Sequence, residues 1–130
     1  NDFAHRAVYD KAVVLFESHF KRNYIHVRDV CRTFVHSIDN FDKMRNQIFN
    51  VGLSSANVSK WELCEKISET VPGFVFVEHD HAKDPDQRNY VVSNSKLEAT
   101  GWKPLTSLEQ GIVELVKGYR MIRNTQYGNV

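Results

Sequence analysis

The stretch Arg22-Asn23-Tyr24-Ile25-His26-Val27-Arg28-Asp29-Val30 changes hydrophobic period part-way along. Tyr24 to Val27 is β-branched and aromatic, which predicts a short strand. From Asp29 onward, Val30, Cys31, Phe34, Val35 and Ile38 recur at helical spacing, which predicts a helix to about Asn40 with Asp29 as its N-cap. A strand that runs straight into a helix restricts the chain to folds that mix the two. Arg22 stands at the edge of this unit, where a rigid frame would present its cation to an anionic ligand.

The remaining segments repeat the alternation. Helices are expected over residues 2–11, from Ser59 to near Val71, over 94–100 after Ser93, and from the Thr106–Glu109 capping box onward. The last of these carries Leu108, Ile112, Leu115, Val116, Tyr119 and Ile122 on one face. Strands are expected over 13–16, 47–52, 74–79 and 90–92, and loops over 41–46, 53–58 and 80–88. The fold class is therefore α/β or mixed α+β, with short strands alternating with helices. At 130 residues, 42% of them hydrophobic and 25% charged, the chain has enough apolar material for one domain. A net charge of +1 gives no reason to expect a nucleic-acid partner, and no apolar run is long enough to span a bilayer. Cys31 and Cys64 lie on apolar helix faces and read as buried thiols in a reducing, cytoplasmic setting. Asn57-Val58-Ser59 fits a glycosylation sequon, but Ser59 reads better as a helix cap. The chain opens at Asn1 on a helical pattern without a Met, as expected of a fragment whose preceding part has been removed.

Two arginines have settings suited to binding. Arg22 precedes one strand, and Arg88 closes a Pro-stiffened loop, Asp84-Pro85-Asp86-Gln87-Arg88, ahead of another. Two guanidiniums so held would clamp a diphosphate with forked hydrogen bonds. The alternative is two surface arginines paired with nearby carboxylates, and spacing alone leaves both open. His79, His81, Asp84 and Asp86 invite a metal reading, but their spacing matches no recognised ligand set, so no metal is expected. His26 and His36 read as structural. No Gly-rich dinucleotide or phosphate loop occurs, nor Tyr-x-x-x-Lys, nor Gly-x-Ser-x-Gly. No catalytic residue is therefore assigned to this chain.

The ordered set of short motifs resembles the C-terminal half of the extended short-chain dehydrogenases/reductases, the NAD-dependent nucleotide-sugar epimerases and dehydratases. Arg22 to Val30 is similar to the family's Arg-Asx-aromatic-Ile-His-Val-x-Asp-Val signature. Ile48-Phe49-Asn50-Val51-Gly52, Ser59 to Leu63, Asp84 to Tyr90, Ser95-Lys96-Leu97, Gly101 to Pro104 and Ser107 to Ile112 follow in family order. The resemblance implies a Rossmann-type enzyme whose substrate-binding C-terminal part is residues 1–123, with 124–130 a loose tail. It implies that Arg22 and Arg88 bind the diphosphate of a nucleotide-sugar, with Asn1 near the phosphates and Val14 to Phe16 beside the base. It places NAD(P) and catalysis in an N-terminal lobe that this chain lacks, so activity alone is not expected. The unit from Arg22 to Asn40 and the 48–51 segment would pack on that lobe, and without it self-association is expected. The alternative reading is a small non-catalytic binding or assembly module on the same scaffold.

Overall fold

The computed structural model describes residues 1–79 and 89–122. Arg88, the Asp84 and Asp86 carboxylates, His81 and the tail from 123 lie outside the described residues. The expected alternation of helices and short strands is present.

Helix α1 (Asp2–Tyr9) leads into strand β1 (Ala12–Leu15), then β2 (Lys21–Asn23), helix α2 (Val27–Asp39) and the short α3 (Phe41–Met44). A 3-10 turn (Ser54–Ala56), strand β3 (Asn57–Ser59), helix α4 (Lys60–Thr70), strand β4 (Val75–Glu78), α5 (Ser95–Glu98) and α6 (Leu108–Met121) complete the order. β1 pairs with β4 in parallel, Val13 opposite Phe76. β2 pairs with β3 antiparallel, Arg22 opposite Val58. The parallel pair confirms the α/β character.

The main core forms where α1, α4 and α6 meet β1. Leu15, Ile67, Val71 and Val116 are buried there, with Ala4 and Ala7 letting α1 approach closely. Truncating one of the large aliphatics to Ala would cost roughly 2–5 kcal/mol. A second cluster gathers Met44, Leu97 and Trp102, with Ile25 and Phe49 against it. Ser59 caps α4 as expected: its side chain accepts the Glu62 N–H while Glu62 reaches back to the Ser59 N–H. Gly101, at φ +93°, closes the turn after α5 in a conformation that disfavours side chains.

Several expectations need correction. The strand lies at Lys21–Asn23 rather than at 24–27, and α2 begins at Val27. Its N-cap is His26, whose Nδ1 accepts the Arg28 N–H at 3.1 Å, not Asp29. Asp29 is instead 1% exposed and accepts the N–H groups of Leu105 and Thr106. The apolar face of α2 is exposed at Cys31, Phe34, Val35 and Ile38, so the expectation of two buried thiols holds only for Cys64. Residues 47–52 form no strand. Side chains satisfy backbone groups there and just after: Lys96 Nζ donates to the Ile48 carbonyl, and Asn23 Oδ1 accepts the Leu53 N–H. Residues 41–46 include α3, and the loop expected over 53–58 contains the 3-10 turn and most of β3. The final capping box is shifted by one, to Ser107 with Gln110, because Thr106 donates its N–H to Asp29. Asn94, rather than Ser93, stands at the N-cap of α5, without a side-chain capping bond.

Candidate functional site

Arg22 sits mid-strand in β2, between β3 on one side and residues 89–92 on the other. That second flank was expected to be a strand at 90–92. It forms no strand, and is bonded partly through carboxamides. Lys21 N–H donates to Asn89 Oδ1 at 2.9 Å, and Tyr90 N–H donates to the Lys21 carbonyl at 3.0 Å. Further along, the Asn57 carboxamide pairs with both backbone groups of Val92. A carboxamide presents the same donor and acceptor as a peptide, so asparagines take the place of ladder partners. This also removes Asn57 from the sequon reading, since its side chain is committed and Ser59 is buried.

The Lys21 carbonyl has a second partner. Arg22 Nη1 donates to it at 2.9 Å, and the Arg22 guanidinium carbon lies 5.4 Å from the Tyr90 ring centroid. One carbonyl oxygen, with its two lone pairs, thus ties the Arg22 head group and the Tyr90 backbone together. Arg88, the second predicted clamp residue, lies outside the described residues.

The junction of β3 and α4 connects this shelf to β1. Ser59 pairs with Lys21, and the next residue, Lys60, donates its Nζ to the Phe16 carbonyl at 2.7 Å. Phe16 is half-buried, its ring edge-on to His79 at 6.0 Å. Val14 is 50% exposed and sits opposite Val77 on the outer face of the β1–β4 pair. Asn1 stands elsewhere. It is exposed at the N-cap of α1, without a side-chain capping bond, and it lines a different hollow.

That hollow is a groove of about 1210 Å³ between α1, residues 24–28 and α6. Its walls are mainly apolar, with Phe3, Ile25, Ile112 and Leu115 among them. Its rim is polar. His26 Nε2 lies 3.2 Å from Glu114 Oε2, and the Arg28 guanidinium pairs with the same carboxylate. Since His26 Nδ1 accepts the Arg28 N–H, the proton of the neutral ring belongs on Nε2, facing Glu114. His5 Nε2 is buried at the α1 wall with no hydrogen-bond partner among the described residues. Among the described residues no group of histidines, cysteines and carboxylates is arranged to hold a metal, while the rest of the 79–86 set lies outside them.

Sequence reasoning missed both Tyr90 as the ring partner of Arg22 and the groove. An aromatic two positions after Arg88 was the available signal for the first. Nothing in the sequence marks the groove, because its walls come from segments far apart in the chain.

No family model matches the chain. Over 98 residues it is 30% identical to probable GDP-L-fucose synthase 1 of Oryza sativa subsp. japonica, covering 75% of this chain and 29% of that one. Its fold matches UDP-glucose 4-epimerase from Thermotoga maritima, a structure with UDP-glucose, at TM-score 0.73 and 25% identity over 95% of this chain and 39% of that chain. It also matches UDP-glucose 4-epimerase from Thermus thermophilus, a complex with NAD, at TM-score 0.71 and 22% identity over 99% of this chain and 40% of that chain. These likenesses are those of a fragment of the extended short-chain dehydrogenase/reductase family. The chain spans less than half the length of these family members, 29% of the curated relative and 39% and 40% of the two structures.

Proposed function

We propose that residues 1–123 are the part of an NAD(P)-dependent nucleotide-sugar epimerase or dehydratase that grips the nucleoside diphosphate of the substrate, with 124–130 a tail outside it. The observation that carries this reading is the locking of residues 89–90 onto Lys21 and Arg22. Arg88, which the motif resemblance pairs with Arg22, immediately precedes Asn89 in the sequence. Two guanidiniums close to one another repel unless an anion lies between them, and a pyrophosphate offers acceptors to both. The names of the relatives support the ligand class: a GDP-sugar synthase and UDP-sugar epimerases.

In this reading Val14 and Phe16 lie toward the base, while Asn1, which lines the other groove, takes no part in the clamp. The chain's role is positioning rather than chemistry. Holding the diphosphate fixes where the sugar sits, and a cofactor bound by the other lobe would supply the hydride chemistry. The exposed apolar face of α2, with Phe34 68% and Ile38 74% exposed, is the surface that lobe would cover.

Calorimetry with UDP and GDP tests the reading. Arg22→Ala and Arg88→Ala are each expected to weaken binding by about 1.5–3 kcal/mol, the size of a hydrogen bond to a charged group. Unchanged affinity in both variants, or no binding of either nucleotide to the unaltered chain, would reject the clamp.

A further inference from the structure

We propose that Tyr90 is a positioning residue for Arg22, its ring holding the guanidinium in the orientation that receives a diphosphate. The inference rests on the clamp reading above and adds a residue to it.

The argument begins with mobility. An arginine side chain has several rotatable bonds, and ordering it on ligand binding costs conformational entropy. Three features reduce that cost here. Arg22 Nη1 is bonded to the Lys21 carbonyl. The Tyr90 backbone is bonded to the same oxygen, which fixes the ring's attachment point relative to Arg22. The guanidinium then lies over the ring face, 5.4 Å from its centroid. A planar cation resting on a π-face is attracted through the face while its N–H donors spread in its own plane. The ring therefore restrains the tilt of the guanidinium without using its donors. Tyr90 is itself 45% exposed, so it contributes little as a core residue.

Neither property requires the phenol hydroxyl. Phe at position 90 would preserve the ring face, whereas Leu would keep bulk and lose the π-system. This separates positioning by the ring from packing alone.

The experiment is NMR on the 130-residue chain, reading the Arg22 Nε–Hε resonance during titration with inorganic pyrophosphate. The unaltered protein, Tyr90→Phe, Tyr90→Leu and Arg22→Ala are compared, with the backbone amide spectrum as the control for folding. In Tyr90→Leu the ring-current shift on Arg22 should vanish and the affinity for pyrophosphate should fall about three- to tenfold. Tyr90→Phe should retain both. If Arg22→Ala weakens binding but Tyr90→Leu binds as tightly as the unaltered chain, the positioning role is wrong while the clamp stands. An Arg22 resonance that does not move on replacing Tyr90 by Leu overturns the positioning role as well. If pyrophosphate does not bind, or binds equally well without Arg22, the clamp reading fails and takes this inference with it.

Discussion

Asp29 joins two distant segments with one carboxylate. It accepts the Leu105 and Thr106 N–H groups at 3.1 Å and 3.0 Å and the Arg32 guanidinium at 2.7 Å. Burial alone would raise its pKa, but those two backbone N–H groups and Arg32 outweigh burial and hold it below the ordinary carboxylate value. A depressed folded pKa gives stability that is complete above the unfolded value, near 4, and is lost as pH falls through the folded one. Asp29→Ala should therefore cost about 2–3 kcal/mol in urea denaturation at pH 7, with the deficit shrinking below pH 4. The sequence showed that Asp29 would take backbone N–H groups. It did not show which, because His26 supplies the closer cap and only the fold brings residues 105–106 within reach. Cysteine accessibility misled in the same way: helical spacing marks an apolar face but not what covers it. Burial pushes the Cys64 thiol up to about 12, and Cys31 is exposed. A thiol-specific reagent at pH 8 should label Cys31 in the folded chain and Cys64 only after unfolding.

Local chemistry made most elements readable. The Ser59–Glu62 box, the Gly101 stop and the β1 and β4 runs each depend on neighbours in sequence, and each formed near its expected place. The failures lie where long-range contacts override local pattern. Residues 47–52 have strand-like side chains, yet Gly52 sits where an added Cβ would fall 2.0 Å from Asn23 Oδ1. Gly52→Ala should destabilise by about 1–3 kcal/mol, because it would displace the carboxamide that bonds Leu53 and Asn57. α4 and α6 are linked across their surfaces by Lys66 Nζ and Glu109 Oε1 at 2.6 Å. The hydrogen bond from Lys66 holds the Glu109 carboxyl low, at about 2. Its stabilisation is present above the ordinary glutamate value and fades as pH falls toward 2. Both side chains are partly exposed, so Lys66→Ala should cost no more than about 1 kcal/mol, and less in high salt.

At the scale of the whole molecule, α2 presents Phe34, Val35 and Ile38 outward, and Phe41 and Ile48 are exposed as well. A face of this kind in water favours association. Sedimentation should show mass rising with concentration, and Phe34→Glu with Ile38→Lys should suppress the rise while altering stability by only a few tenths of a kcal/mol per site. A strictly monomeric chain at high concentration would count against this. The family's ordered motifs located Arg22 in the sequence. Its lock onto residues 89–90 was not legible, because it depends on asparagine side chains bonding backbone across long separations. The central claim is that Arg22 and Arg88 read a diphosphate, and the affinity ratio of UMP to UDP tests it most directly. The second phosphate should tighten binding to the unaltered chain, and Arg22→Ala and Arg88→Ala should each flatten that difference. Equal affinity for the two nucleotides, or a ratio that survives both substitutions, would contradict it.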